Sequence, residues 1–180
     1  MTSARHSVHP TPIGDALIVV TDAGLVSLDI LDGMHDDALE SVSLALRSVP
    51  QEDADATAAI TTQLDEYFDG IRRDFDVPID WQLVQGFVRA ALECVCAIPF
   101  GETASYAEVA IAAGSPGAHR AVGSACARTP ISIIVPAHRV VRADGSLGEY
   151  GGHPERKSFL LDLEARAGRA RIEKDHPARE

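Results

Sequence analysis

The segment 105–127 carries the start and stop signals of two consecutive helices, and it constrains the fold of this chain more than any other stretch. Ser105 is followed three residues later by Glu108, the spacing of a capping box in which each side chain accepts a hydrogen bond from an otherwise unpaired backbone N–H. Gly114 suits a left-handed helix end, and Pro116 suits the first position of a new helix. The pattern predicts a helix, a three-residue turn and a second helix over 116–127.

The surface of this second predicted helix consists mainly of small side chains. Small residues allow two helices to pack closely, and they also let a helix enter the minor groove of DNA, which is only about 6 Å wide. Arg120 is the long cationic exception on that surface. Composition alone leaves both interpretations open. The small residues are Gly117, Ala118, Ala121, Gly123, Ser124, Ala125 and Ala127.

Charge is distributed unevenly along the chain. The net charge is −11, and residues 1–81 hold 16 acidic and 4 basic side chains. The stretch 109–143, by contrast, holds four arginines and no aspartate or glutamate. Because phosphates respond to the local field, an acidic protein of this kind can still present a surface that attracts nucleic acid.

Periodicity divides the rest of the chain into two parts and predicts an α+β fold. The first part contains two strands that form a hairpin, two helices and a linker, at 16–21, 25–30, 35–47, 54–71 and 74–81. The second part adds an apolar helix, a short buried strand, a turn, a glycine-rich loop and a last helix, at 87–97, 131–135, 143–146, 147–152 and 157–164. We therefore predict a small N-terminal α/β domain with its linker over 1–81, a helix-turn-helix domain over 82–164 and a charged, frayed tail over 165–180.

Several classes of protein are not expected. No apolar run approaches the roughly 20 residues that a membrane span needs, and the N-terminus lacks the apolar core of a secretory signal, so we expect a cytoplasmic protein without a membrane partner. The three cysteines, Cys94, Cys96 and Cys126, form no C-x-x-C pair. We expect them to be buried free thiols, and we expect neither a metal site nor a cofactor.

Five ordered motifs resemble the C-terminal domain of the O6-alkylguanine-DNA alkyltransferases. They are IPFGETASYAEVA, AHRAVGSACA, ISIIVPAHRVV, DGSLGEYGG and KSFLLDLE, and they span about 80 residues. The front half is similar to that family's N-terminal domain through TPIGDALIVVTDAGLVSLDI and QLDEYFDG. The resemblance implies a ribonuclease-H-like N-terminal domain and a winged helix-turn-helix that binds the minor groove of double-stranded DNA. It also implies rotation of an O6-alkylguanine out of the duplex, since the O6 atom cannot be reached inside the base stack.

The resemblance also implies roles for particular residues. Tyr106 matches the tyrosine that crowds the phosphate of the target nucleotide, and Arg120 matches the finger that fills the vacated place in the stack. The implied DNA-contacting set is Tyr106, Ala118, Arg120, Ala121, Gly123, Ser124, Arg128 and Arg139. The implied lesion pocket is Pro136, Ala137, Val140, Gly148, Tyr150 and Gly151.

One position departs from the family in a decisive way. The reaction centre of the family reads Pro-Cys-His-Arg, whereas residues 136–139 read Pro-Ala-His-Arg, so Ala137 stands where the acceptor sulfur is expected. His138 and Glu164 match the pair that draws the proton from that cysteine through a water, and here they have no thiol to activate. An alanine methyl group cannot accept an alkyl group by displacement.

The sequence is therefore similar to the alkyltransferase-like proteins, which bind O6-alkylguanine without repairing it and flag it for nucleotide-excision repair. This resemblance implies a monomeric, non-enzymatic lesion sensor whose pocket has room for bulkier adducts. Two alternatives stay open: a methyltransferase whose cysteine has been replaced by design, and a scaffold that has lost DNA binding and serves protein interactions. Two positions depart from the family pattern: Thr129 stands in place of the usual asparagine, whose side chain braces the turn before residue 131, and His153 stands in place of a common leucine at the pocket rim.

Overall fold

The N-terminal half forms a four-stranded sheet with a helix on each face. The computed structural model describes residues 3–33 and 35–175. The elements of this half are β1 (Arg5–His9), β2 (Ala16–Thr21), β3 (Gly24–Ile30), α1 (His35–Leu46), β4 (Gln51–Glu52) and α2 (Ala54–Phe68). The strand order is β3-β2-β1-β4, in which β4 runs parallel to β1 and the other pairs are antiparallel. The predicted hairpin is confirmed as β2 and β3, whereas β1 and β4 were not predicted.

Strand β2 explains why the sheet lies at the centre of this half. Its sequence, ALIVVT, has almost no polar alternation, and all six of its residues are buried. Alternate side chains point to opposite faces of a sheet, so one set meets α1 and the other set meets the main core. A strand that is covered on both faces needs a continuous apolar run, which is what the sequence supplies.

The C-terminal half consists mainly of helices. Its elements are α3 (Gly86–Cys96), β5 (Ala104–Ser105), α4 (Tyr106–Ala112), α5 (His119–Ala127), β6 (Val140–Val141) and α6 (Pro154–Asp175). Helices α4 and α5 form the predicted helix-turn-helix, and the capping box between Ser105 and Glu108 is present at the start of α4. The α+β class, with a small N-terminal sheet domain followed by a helical domain, is confirmed.

Helix α5 begins later than the sequence predicts. The expected start at Pro116 is wrong, because Gly117 takes φ +91°, which no right-handed helix can include. The residues before α5 instead form a turn, closed by a hydrogen bond from Ala118 N–H to the Ser115 carbonyl. Gly114 ends the preceding stretch at φ +75°, as predicted.

The apolar run 131–135 is buried as predicted, but the prediction that it forms a strand is wrong. Only Ile131 makes a bridge, to Leu28 of β3, and Ile133 then takes φ +67°, so the chain turns instead of extending. Positive φ is unfavourable for a β-branched residue. The complete burial of Ile133 keeps it in this conformation, because reversing the turn would expose the side chain.

One hydrophobic core joins the two halves. It includes Ile18 of β2, Leu64 of α2, Leu92 of α3, Val122 of α5 and Leu160 of α6. The linker also packs against the sheet, since the Pro78 carbonyl accepts a hydrogen bond from Leu25 and Asp80 N–H donates to the Leu25 carbonyl. The halves are therefore held in a fixed relation by shared packing.

Two further differences concern the last helix and the cysteines. Helix α6 continues to Asp175, so part of the predicted tail is helical, and residues 176–180 lie outside the described part of the chain. Cys126 is buried and Cys94 is half-buried, but Cys96 is exposed, contrary to prediction. Among the described residues, no helix is both long and apolar enough to cross a bilayer.

Candidate functional site

Helix α5 separates its small and cationic residues from its apolar ones. Its buried side is formed by Val122, Ala125 and Cys126. The residues on its solvent side are exposed, and they are His119, Arg120, Ala121, Ser124, Ala127 and Arg128. Two arginines thus flank a smooth, uncharged helical surface. Ala118 and Gly123 are only half-exposed and lie at the margin of this surface.

Tyr106 lies between α5 and the glycine-rich loop. Strands β5 and β6 pair in parallel, which places Tyr106, the residue after β5, beside the segment that follows β6. A methyl group built on Gly123 would lie 3.8 Å from the Tyr106 ring, and one built on Gly148 would lie 2.9 Å from its hydroxyl oxygen. Gly148 also has φ +71°, so both its backbone and its lack of a side chain are needed for the loop to reach Tyr106.

The predicted pocket residues differ in exposure, and Ala137, Val140 and Tyr150 share the main core cluster. Pro136, Ala137 and Val140 are buried, Gly148 and Tyr150 are half-buried, and Gly151 is exposed. Ala137 begins a single 3-10 turn that ends at Arg139. The methyl group of Ala137 is therefore held by a short rigid turn directly before His138.

His138 and Glu164 form a buried hydrogen-bonded pair. His138 Nε2 and Glu164 Oε1 are 2.8 Å apart, and both side chains are inaccessible to solvent. Burial raises the pKa of a carboxyl group, but the hydrogen bonds from His138 and Arg139 and the charge of Arg139 outweigh it and hold the pKa of Glu164 at about 2. Burial lowers the pKa of His138 and outweighs the opposite influence of Glu164. At neutral pH, Glu164 is ionised and His138 is uncharged.

These protonation states determine the tautomer of His138. An ionised carboxylate can only accept hydrogen bonds, so His138 carries its proton on Nε2 and donates it to Glu164. Its Nδ1 then bears a lone pair. Within the described residues, this buried Nδ1 has no hydrogen-bond partner. The arrangement is that of a general base prepared to accept a proton, and the residue that precedes it in the 3-10 turn is Ala137.

Arg139 belongs to the same buried network, and the prediction that it contacts DNA is wrong. Its guanidinium is 7% exposed and donates to both Glu164 oxygens at 3.0–3.2 Å and to the Ile98 carbonyl at 2.6 Å. It also lies over the ring of Phe100, 5.7 Å from the centroid. A cation committed to four interior contacts is not available for a phosphate.

Tyr67 is a member of the network that the sequence did not identify. It lies on α2 in the N-terminal half, is fully buried, and donates its hydroxyl proton to Glu164 Oε1 at 2.8 Å. Its hydroxyl oxygen is also 3.4 Å from His138 Nε2. The helical spacing of Ile60, Leu64 and Tyr67 indicates a core position but not a polar partner. The N-terminal half therefore supplies a hydrogen-bond donor to the network beside Ala137.

Lys157 is a second residue that sequence reasoning missed. It shares the buried face of α6 with Leu160 and Glu164, which lie three and seven residues further on. This helical spacing is the one feature of the sequence that could have indicated that Lys157 is buried. Its Nζ donates to the Val140 carbonyl and lies 5.8 Å from the centroid of the Tyr106 ring. Within the described residues it pairs with no carboxylate, and burial lowers its pKa to about 8.

This buried lysine leads to a prediction about stability and pH. The folded-state pKa lies below the ordinary 10.5, so below pH 8 the folded chain keeps a buried charge, and the cost in unfolding free energy is on the order of 3 kcal/mol. We expect Lys157→Met to stabilise the fold at pH 7 by about 1–2 kcal/mol, because the lost hydrogen bond to Val140 offsets part of the gain. This gain in stability should disappear as pH rises from 8 to 10.5, because the lysine of the wild-type protein loses its charge over that interval.

Denaturant unfolding at pH 7 and pH 10 measures this effect. Arg142→Met, which removes an exposed cation, serves as the control and should change stability little at either pH. An equal difference in the free energy of unfolding between Lys157→Met and wild type at both pH values would contradict the prediction.

Thr129 stands where relatives commonly have an asparagine, and its hydroxyl makes some of the hydrogen bonds that hold the turn before residue 131. Its hydroxyl oxygen accepts from Ile131 N–H at 3.3 Å and its hydroxyl hydrogen is directed at the Ile131 carbonyl at 3.4 Å. Both contacts fall on one residue and both are long. The threonine thus supports the start of the 131–135 turn weakly.

A surface groove lies away from this site. It has a volume of about 520 Å³ and is found where the linker meets α3, with Asp80, Trp81 and Arg89 in its lining. It shares no residue with the predicted lesion pocket. Arg89 in this groove pairs with Glu93 at 2.8 Å.

Comparison with known proteins gives consistent matches over both halves. The family model described as "6-O-methylguanine DNA methyltransferase, ribonuclease-like domain" matches residues 4–81, and the one described as "6-O-methylguanine DNA methyltransferase, DNA binding domain" matches residues 86–166. The methylated-DNA–protein-cysteine methyltransferase of Methanosarcina barkeri is 35% identical over 159 residues, which cover 88% of this chain and 96% of that protein.

Two solved structures from Mycobacterium tuberculosis are similar over most of their length. The O6-methylguanine methyltransferase of that organism superposes with a TM-score of 0.78 at 35% identity and covers 91% of this chain and 94% of its own. The same organism's OGT in complex with DNA gives a TM-score of 0.76 at 36% identity and covers 92% of this chain and 94% of its own.

Proposed function

The chain belongs to the 6-O-methylguanine DNA methyltransferase family, and we propose that it binds O6-alkylguanine in duplex DNA without accepting the alkyl group. The observation that carries the proposal is the methyl group of Ala137 beside a histidine whose Nδ1 is buried and unpaired in the described part of the chain. The base and its carboxylate are present, and the nucleophile is not.

The chemistry of the remaining thiols supports the absence of transfer. Alkyl transfer to sulfur requires a thiolate, because the thiol is a poor nucleophile. Burial raises the pKa of Cys126 to about 11, so this thiol stays protonated near neutral pH. Cys96 is on the exposed surface of α3, and Cys94 is half-buried on the same helix. His138 pairs with Glu164 and contacts none of these sulfurs within the described hydrogen bonds.

The surface of α5 supports binding to the minor groove. Ala121 and Ser124 are exposed and short, so the helix axis can approach a narrow groove. Arg120 and Arg128 are exposed beside them, and Arg128 Nε donates to the Ser124 carbonyl at 3.3 Å. In this proposal Tyr106 crowds the target phosphate, Arg120 occupies the place of the rotated guanine, and the flipped base enters between Val140, Gly148 and Tyr150. A planar guanidinium can stack on neighbouring bases and still donate hydrogen bonds.

We also propose two consequences of the missing sulfur. A methyl group is smaller than a thiol-bearing side chain, so the pocket accepts O6 adducts larger than methyl. The complex persists because no transfer ends it, and a persistent complex on kinked DNA is a suitable flag for nucleotide-excision repair. The same proposal treats residues 1–81 and 82–164 as the two domains and the protein as a monomer on DNA.

Binding to matched duplexes tests the proposal. Electrophoretic titration with duplexes that contain O6-methylguanine, O6-benzylguanine or guanine at one position should give tighter binding to both adducts than to guanine, and binding should weaken as salt rises. Equal affinity for all three duplexes would contradict lesion recognition. Absence of salt-dependent binding to any duplex would instead support a scaffold that no longer binds DNA.

Arg120 is the residue whose removal should affect lesion preference most selectively. We expect Arg120→Ala to reduce the ratio of lesion to undamaged affinity by about 10-fold, because the arginine stabilises only the flipped state. Arg128→Ala is the matched control: it removes a cation from the same exposed helix face and should weaken binding to both duplexes equally. Equal losses on both duplexes for Arg120→Ala would show that it does not act as the finger.

A further inference from the structure

His153 and Arg156 connect the glycine-rich loop to the N-terminal half. His153 Nε2 is 2.8 Å from Asp32 Oδ2, and Arg156 Nη2 donates to the other oxygen of the same carboxylate. Arg156 also donates to the carbonyls of Ile30 and Leu31 at 3.3 and 3.4 Å. Asp32 follows β3, whereas His153 and Arg156 lie at the start of α6. We refer to Asp32, His153 and Arg156 as the clasp.

The glycine-rich loop is held at its two ends and by Tyr150, which packs against the main core. Gly148, Gly151 and Gly152 have φ values of +71°, +55° and +82°, and a methyl group built on either of the last two would meet nothing within 4 Å. At one end Gly148 approaches Tyr106, and at the other end His153 N–H donates to the Tyr150 carbonyl. The backbone of Tyr150 is therefore tied to the place where His153 is fixed.

The ring of His153 lies between two carboxylates. Its Nδ1 is 2.8 Å from Glu155 Oε1, and its Nε2 is equally close to Asp32. The charged groups that face the ring are Asp32 from the β3–α1 connection and Glu155 from α6, with Arg156 on the far side of Asp32. His153 therefore links the carboxylate that follows β3 to the start of α6.

We infer that the clasp positions the glycine-rich loop, so that Asp32 of the N-terminal half, through His153, sets the place of Tyr150 and the selectivity of the pocket. His153 is thus a positioning residue, and the acidic N-terminal half has a part in recognition without touching DNA. The link between the clasp and lesion binding rests on the proposed function. The effect of the clasp on the position of the loop is independent of that function.

The contacts of the clasp are partly solvated, so we expect the clasp variants to have moderate effects on loop exchange and lesion preference. The side chains of His153 and Asp32 are 33% and 54% exposed, so solvent weakens their attraction. We expect His153→Leu and Asp32→Asn to increase amide hydrogen exchange of residues 148–152 in the free protein about 5-fold, while exchange in β2 stays unchanged. We expect the same variants to reduce lesion preference about 3-fold.

Affinity for undamaged DNA separates this role from a general loss of structure. His153→Leu should bind the undamaged duplex as wild type does and lose part of its preference for the lesion. His9→Leu is the matched control: His9 pairs with Asp65 at 2.7 Å within the N-terminal half. It should retain the wild-type loop exchange and lesion preference.

Each result decides between the inference and its alternatives. Unchanged loop exchange in both clasp variants would overturn the inference. Faster exchange with unchanged lesion preference would overturn the link between the clasp and the pocket. If wild type itself prefers no lesion, the proposed function fails, and the exchange data still show whether the clasp holds the loop.

Discussion

Replacing Ala137 by cysteine should convert the protein into a stoichiometric alkyl acceptor. Wild type should retain no alkyl group, whereas Ala137→Cys should take up close to one per chain from O6-methylguanine in a duplex. The reason is that the base already exists: His138, the residue after position 137, carries its proton on Nε2 toward Glu164, and its Nδ1 has no partner among the described residues. A thiol placed there can lose its proton to that nitrogen and displace the alkyl group from O6, and guanine leaves with the bonding electrons and takes up a proton.

Mass spectrometry of the intact protein after reaction with a methylated duplex measures this gain. Ala137→Ser is the appropriate control, because a serine hydroxyl occupies the same place but is a far weaker nucleophile than a thiolate; it should gain no mass. If Ala137→Cys binds the lesion tightly but stays unmodified, then the pair of His138 and Glu164 is not competent as a base, and its role is structural only.

Replacing Glu164 by glutamine should produce the largest loss of stability of any single conservative change in this site. Glu164 is buried and accepts hydrogen bonds from Tyr67, His138, Arg139 and the Gly101 N–H. Glutamine keeps the shape but loses the charge, so the guanidinium of Arg139 is left in the interior without a counter-ion. Breaking one partner of a buried ion pair costs about 3–5 kcal/mol, and we expect Glu164→Gln to fall in that range at pH 7.

The pH dependence of this effect has a definite sign. The folded-state pKa of Glu164 is about 2 and its ordinary value is 4.5, so the unfolded chain binds the proton more tightly. The stabilisation from Glu164 is therefore fully present above pH 4.5 and is lost as pH falls toward 2. The difference between wild type and Glu164→Gln should shrink over that interval.

Guanidinium unfolding at pH 7 and at pH 3 measures both parts of this prediction. Glu93→Gln is the control, because Glu93 makes an exposed pair with Arg89 and its loss should cost less than about 1 kcal/mol. A loss below 1 kcal/mol for Glu164→Gln at pH 7 would show that the buried network contributes little to the fold.

The sequence predicted the parts of the fold that depend on local signals. The capping box at Ser105, the left-handed end at Gly114 and the hairpin of β2 and β3 all form where their signals lie. Strands β1 and β4 were missed because β1, RHSVH, is mostly polar and β4 has only two residues. Such strands are stabilised by pairing with a neighbour in space, which no local pattern records.

Two errors show where tertiary packing overrides the local pattern. The run ISIIV has the composition of a strand, yet it turns because burial of Ile133 compensates for an unfavourable φ. Arg139 was expected at the DNA surface because of its charge, but the 3-10 turn directs its side chain inward to Glu164. Charge alone does not indicate which side of a turn a residue occupies.

The candidate site was predictable in part for the same reasons. The order of the motifs was enough to bring Ala137, His138 and Glu164 together as candidates. Tyr67 and Lys157 were missed because their polar contacts cross between elements that are distant in sequence, 97 residues in the case of Tyr67 and Glu164. The connection between the two halves through Asp32 and His153 was invisible for the same reason.

The most direct test of lesion binding without transfer uses one duplex with a radiolabelled methyl group on O6 of a single guanine. Incubated with excess wild-type protein, the duplex should shift into a complex that survives competition by unlabelled undamaged DNA. After denaturation of the complex, all of the label should remain in the DNA. Label that travels with the denatured polypeptide would show that this chain accepts the alkyl group and would contradict the account.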